Sequence, residues 1–342
     1  MENSLASRVK PWFTGSFIFL ILGALGAGSF WYLGPFRAPQ EETFVEIEHG
    51  MSSQAIAATL ASQGLIRSPW TFLAARLLHR RAKLQAGEYR FGPLQTPFEI
   101  FDKISRGQVY FQIVTIPEGS NKFDIAAIVD GVGIIKADDF LKAAADPAEV
   151  RDLDPAAPDL EGYLFPSSYE ITHTTSAQQL CRMMTNEFRK QWRALKSDIL
   201  PGVELHRVVT LASLVEKETG LASERPLVAG VFNNRLRLNM PLQCDPTTVY
   251  AALLDNRYRG TIYASDLQSP SAYNTYRHTG LPPGPICNPG LDALRAAISP
   301  AKTGYLYFVS DANGHSRFST TLKEHTANVQ EYRKTEHAAG LR

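Results

Sequence analysis

The pattern of apolar and polar positions changes twice along the chain. From Pro11 to Phe36 the sequence PWFTGSFIFLILGALGAGSFWYLGPF carries no charge. A bilayer core is crossed by about 20 apolar residues in a helix. Residues 12–34 are therefore expected to form a transmembrane helix, with residues 1–11 as a cytoplasmic tail. Arg8 and Lys10 precede the stretch, and Trp12, Phe13, Trp31 and Tyr32 stand near its ends, as the positive-inside rule and an aromatic belt require. The competing reading is a cleaved signal peptide with GALGAG as its small-residue site, but signal peptides have apolar regions of only about 7–15 residues. The rest of the chain is expected to lie outside the cytoplasm.

After a polar linker the period shortens. TFVEIEHG alternates as a strand and turn. SSQAIAATLASQGLI reads as a helix capped at Ser52 or Ser53 and stopped at Gly64. SPWTFLAARLLHRR reads as a second helix, with Ser68 before a first-turn Pro69, and AGEYRFG as a closing strand. Together these make a βααβ module. QTPFEIFDKISRGQ repeats the helix grammar with Thr96, Pro97 and Gly107, and the strand VYFQIVTIPEG follows. IEHGMSSQAIAATLASQGLI and IPEGSNKFDIAAIVDGVGII echo one another, either as a repeat or as a common strand-turn-helix grammar.

The C-terminal half reads differently: polar loops rich in Pro and Gly separate short regular elements, a pattern that tends to carry function. VVTLASLVEKETG begins as a core helix, with Val208, Leu211, Ala212 and Val215 on one stripe. Glu216 and Glu218 both flank that stripe, and helical geometry does not choose between them. A bland reading makes them a solvated face or a local pair with Lys217. Against it stand Glu224, Arg225, Asn233, Asn234, Arg235, Gln243, Asp245, Tyr273, Asn274 and Tyr276, groups suited to hydroxyl- and amide-rich substrates. A carboxyl acting as general acid needs a pKa raised by apolar surroundings, which a helix-borne Glu beside Leu and Val can supply. DLEGYLFPSSYEI reads either as a packed connection or as part of a carbohydrate platform.

Composition narrows the field. With 342 residues, 44% of them hydrophobic, the chain is globular and long enough for two or three domains. Its 35 basic residues nearly balance 34 acidic ones, without the basic stripe a nucleic-acid binder shows. Cys181, Cys244 and Cys287 lack metal-ligand spacing and read as unpaired thiols, Cys244 with Cys287 being the one pairing worth considering. HExxH, CxxC, a phosphate loop and the GxSxG elbow are all missing. His278, His315 and His325 read as structural or surface residues, and no metal or cofactor is expected.

The runs LASLVEKET, ASER, FNNRLRLNMPLQCDPT, AYNTYRHTGLPPGPICNPG and AAISPAKTGYLYFVSD resemble the YceG-like family of endolytic murein transglycosylases. The resemblance spans almost the whole chain. It implies an α+β protein with a transmembrane helix, a LysM-like subdomain at 43–108 and a catalytic domain at 109–342. It implies cleavage of nascent peptidoglycan glycan strands between N-acetylmuramic acid and N-acetylglucosamine, leaving 1,6-anhydro ends and so terminating elongation. The enzyme would sit in the cytoplasmic (inner) membrane, face the periplasm or cell exterior, and work beside penicillin-binding protein synthases. By motif the catalytic acid is Glu218. Glu216, Glu224, Arg235, Gln243, Asp245, Tyr273 and Asn274 are candidates for orienting that Glu or binding the sugar. A muramidase that uses water, with Asp245 or Glu224 as second carboxylate, and a non-catalytic wall-binding protein are the rival expectations.

Overall fold

A computed structural model describes residues 42–93, 95–195, 202–311 and 315–338, together with Gly23, Gly26 and Gly28. The expected membrane span at 12–34 lies outside the described residues apart from those three glycines. Among the described residues no helix is long and apolar enough to cross a membrane. The chain divides into two compact units, the first ending at Phe111 and the second running from Gln112.

In the first unit β1 (Thr43–Ile47) and β2 (Gly87–Phe91) pair antiparallel, Val45 opposite Tyr89. Between them run α1 (Ser53–Ser62) and α2 (Pro69–Leu78), and α3 (Pro97–Ser105) follows. The helix starts obey local capping chemistry. Ser52 accepts from Ala55 N and Ser68 from Trp70 N, while Thr96 and Glu99 form a reciprocal capping box ahead of Pro97. Strand alternation puts Val45, Ile47, Tyr89 and Phe91 on the helix side, where they meet Ile56, Leu60, Phe72, Phe101 and Ile104 in one core.

The second unit opens with the same order. β3 (Gln112–Thr115) pairs antiparallel with β4 (Ser168–Ile171), and α4 (Lys122–Val132) and α5 (Ala137–Ala144) lie between them in sequence. The echo between the two segments is thus a recurrence of strand, two helices and strand. The remainder is helical around α7 (Leu205–Glu218), with α6 (Ala177–Ala194) before it and α8 (Arg225–Arg237), α9 (Asp245–Leu254), α10 (Ala264–Leu267) and α11 (Leu291–Ile298) after it. A hairpin of β5 (Tyr307–Ser310) and β6 (Ser316–Ser319) and the terminal α12 (Leu322–Ala338) complete the unit.

From Val208 to Val215 every residue of α7 is buried, so this helix is apolar nearly all round, as a core helix must be. It packs against α8 and α11. Close approach on α8 depends on Gly230, where a Cβ would stand 2.5 Å from the Ala301 carbonyl. The end of DLEGYLFPSSYEI, SYEI, expected from sequence within the connection, instead forms β4, while the first part is a packed connection with Leu160, Glu161, Tyr163 and Leu164 buried. Gly162 turns there at φ +87°, with space for no side chain against Pro285 and Val209. The buried Asn288 clasps this connection to α7's surroundings. Its Oδ1 accepts from Gly162 N and Leu164 N, and its Nδ2 donates to Ser120 O and Glu161 Oε1.

Candidate active site

Helix α7 ends without a glycine cap: Thr219 passes directly into extended backbone at φ −144°, ψ 133°. Its last turn therefore projects two carboxylates into different surroundings.

Glu216 turns inward to a buried ion pair. Its Oε1 accepts from Arg225 Nη2 at 2.8 Å and its Oε2 from Gly290 N at 2.9 Å, with both side chains less than a tenth exposed. Gly290 is the residue before α11, so Glu216 joins the end of α7 to the starts of α8 and α11. Burial raises its carboxyl above the usual range, opposed by the Gly290 N–H and by Arg225.

Glu218 faces an open pocket of about 290 Å³, near the lower end of small-molecule sites. Phe232, Leu242 and Phe308 give the pocket apolar surface, and Arg235, Gln243, Asp245, Tyr276 and His325 complete the wall. Burial is the main reason that the Glu218 carboxyl is pushed up to about 7. Asp245 adds to the rise, while the Cys244 thiol, which hydrogen-bonds to the carboxylate, and Arg235 oppose it. The carbonyls at the helix C-terminus act in the same sense as Asp245. A carboxyl with such a pKa holds a proton near neutral pH and can return it, the property a single general acid–base needs.

The positions around Glu218 are rigidly supplied. Arg235 on α8 donates from Nε to Leu306 O at 2.7 Å and from Nη1 to Leu242 O at 2.9 Å and Gln243 Oε1 at 3.3 Å, with its guanidinium over Tyr307. Gln243 takes a left-handed conformation, φ +53°, uncommon for a residue with a side chain, in the turn that delivers Asp245 to the start of α9. Tyr276 donates its hydroxyl to Asp245 Oδ1 at 2.5 Å.

Of the residues expected at the site, Glu218, Arg235, Gln243 and Asp245 share the pocket. Glu216, Glu224, Tyr273 and Asn274 do not line it. Glu224 accepts from Ser316 N at 3.0 Å and faces His315, fastening the start of β6. Asn274 is fully buried and donates to Leu267 O and Ser269 O while accepting from Tyr276 N, a clasp on the loop that carries Tyr276. Tyr273 packs its ring on Tyr250, 5.2 Å between centroids. His325, read from sequence as structural or surface, reaches the pocket from α12 with its ring stacked on Tyr307. Burial and the nearby Arg235 hold His325 below the ordinary histidine range. Its only signal in the sequence is its place on a polar helix after the last motif, which does not separate it from a surface histidine. Cys181, Cys244 and Cys287 are free and buried.

Comparison with known proteins agrees with this architecture. The model of the YceG-like family matches residues 45–331, and the chain belongs to that family. The endolytic murein transglycosylase of Bacillus subtilis is 32% identical over 92% of this chain and 91% of its own length. That of Streptococcus pneumoniae serotype 2 is 31% identical over 95% of this chain and 66% of its own length. A crystal structure of a YceG-like protein from Listeria monocytogenes superposes with a TM-score of 0.58 at 30% identity, covering 84% of this chain and 99% of that one.

Proposed function

We propose that the chain is a lytic transglycosylase of peptidoglycan, with Glu218 as its acid and base. The relatives named above as endolytic murein transglycosylases support the activity. The observation that carries the residue assignment is the Glu218 carboxyl, raised to about 7 in a pocket walled by hydrogen-bonding groups.

Glu218, protonated, donates to the glycosidic oxygen between N-acetylmuramic acid and N-acetylglucosamine as that bond breaks. As carboxylate it then takes the proton from the muramoyl C6 hydroxyl, whose oxygen closes onto the anomeric carbon to give the 1,6-anhydro end. Each proton taken is one returned, so no water is consumed. Arg235, whose charge opposes the raised pKa, stabilises the carboxylate form between the two steps. Gln243, Tyr276 and His325 supply hydrogen-bonding groups to the sugars, and Phe232, Leu242 and Phe308 the apolar contacts.

The enzyme is held in the cytoplasmic membrane by residues 12–34 and faces outward. It cuts nascent strands beside a penicillin-binding synthase, and a LysM-like module at 43–108 contributes glycan contacts. The uncharged N-terminal stretch behind Arg8 and Lys10 supports the anchor. Protease added to intact spheroplasts should digest the bulk of the chain, and full protection would overturn this topology. For the chemistry, mass spectrometry of products from purified glycan should find 1,6-anhydromuramoyl ends. Reducing muramoyl ends would instead indicate hydrolysis, with Asp245 as the second carboxylate.

A further inference from the structure

Asp245 lines a second pocket as well, of about 290 Å³, with a different character. Its surface comes from Pro246, Val249, Leu253, Tyr258 and the buried Tyr250 and Ile286, and its polar groups beyond Asp245 are Asn121 and Lys217. Lys217 is the middle residue of the EKE run. Its ammonium donates to Gly119 O at 3.2 Å, which leaves donor hydrogens for a ligand. Asn121 spends its side-chain oxygen on the N–H groups of Phe123 and Asp124, capping α4. Lys217 is the cation of a wall whose one carboxylate, Asp245, already accepts the Tyr276 hydroxyl. The last turn of α7 thus sends Glu218 to one pocket and Lys217 to another, and Asp245 belongs to both walls.

We infer that this second pocket receives the peptide stem of the glycan strand, with Lys217 pairing a stem carboxylate. The inference rests on the lytic transglycosylase reading and adds to it a substrate preference. A muramoyl residue carries its peptide on the lactyl ether at O3, to the side of the glycan axis. Such a stem combines small alkyl groups with free carboxylates. An apolar pocket with one ammonium at its edge, which shares Asp245 with the wall of the Glu218 pocket, matches that combination. A sugar would instead call for the dense hydrogen-bonding wall found around Glu218.

The test compares glycan strands that keep their peptides with strands stripped by an amidase, reading anhydro ends released by wild type, Lys217→Met and Tyr258→Ala. Tyr258 is exposed, so its truncation spares the fold, and melting by circular dichroism checks both variants. Wild type should favour peptide-bearing strands by about tenfold in kcat/KM, the scale of one charge-assisted hydrogen bond. Lys217→Met should bring that ratio close to one, and Tyr258→Ala should reduce it less. The preference should weaken with added salt, because Lys217 is exposed and screened. A wild-type ratio of one, a ratio untouched by both substitutions, or equal losses on both substrates would overturn the stem site while leaving the activity in place. Absence of anhydro ends from either substrate with folded wild type would overturn the activity itself and the stem site with it.

Discussion

Two residues apart on one helix, Glu216 and Glu218 show how surroundings divide identical side chains between structure and chemistry. The Glu216 side is closed. Both carboxylate oxygens are taken, one by a buried guanidinium and one by a backbone N–H, so the group ties three helix ends together and has nothing left to offer a substrate. The Glu218 side is open. Its neighbours are a thiol, a carboxylate and a guanidinium already committed to backbone carbonyls, and its pocket admits a ligand. Burial raises both carboxyls, but only at Glu218 does the raised pKa stand beside space for a reacting bond.

The two carboxylates should differ most in activity. Glu218→Gln should lower anhydro-product formation by about 10²–10⁴-fold, the usual worth of general acid–base help, and more if both proton transfers depend on it. Assay of folded variant on purified glycan measures this. Near-normal turnover would remove Glu218 from the mechanism.

Stability should move in opposite directions on the two sides. Glu216→Ala removes the 2.8 Å partner of the buried Arg225 and leaves it only the longer contacts to the half-exposed Glu118 and Asp292. It should cost up to about 3 kcal/mol, the lower end of breaking a buried pair, read by urea melts. Glu218→Gln should stabilise instead. The folded pKa of about 7 lies above the ordinary 4.5, so Glu218 folds without penalty below 4.5, and stability is lost as pH rises from there through 7. Wild type and Glu218→Gln should therefore match in stability near pH 4. The variant should be the more stable above pH 7, by up to about 3 kcal/mol.

The pH profile sharpens the same contrast more gently. Because the acid must carry its proton, kcat/KM should fall as pH rises past about 7. Asp245→Asn removes a charge that lifts the Glu218 pKa, so the falling limb should move to lower pH, by less than about one unit. A limb that stays in place would show that Asp245 does not act on Glu218. The smallest effect is expected from Tyr276→Phe, which removes the hydroxyl bonded to Asp245. Because that hydroxyl reaches Glu218 only through Asp245, activity should drop by less than about tenfold, below the worth of a direct hydrogen bond to a charged group.

How much was legible beforehand varied with the range of the interaction. Ser68 with Pro69 and Thr96 with Glu99 signal helix starts because capping is settled within three or four residues. The buried stripe of Val208, Leu211, Ala212 and Val215 is equally local. The two glutamates were not separable on that basis, since both flank the stripe. Their roles depend on Arg225, Gly290, Cys244 and Asp245, which no helical period brings to them. Tyr273, Asn274 and Tyr276 sit almost side by side in one polar run. Yet only Tyr276 reaches the pocket, because Asn274 turns inward to hold the loop that presents it.

The helix and strand grammar of the first unit, the core helix α7, the balance of charge and the family to which the chain belongs are all written in the sequence, because they rest on local spacing or on long motifs in order. The tertiary structure alone decided which carboxylate meets a pocket and which meets an arginine. It also brought His325 from the last helix to a site whose other residues lie between positions 218 and 308. The physical reason is that a carboxyl's pKa and availability are set by what surrounds it in space. Here those neighbours come from α8, α9, the loop that follows Leu267 and the C-terminal hairpin and helix, whose meeting point is fixed by core packing and by buried clasps such as Asn288 and Asn274.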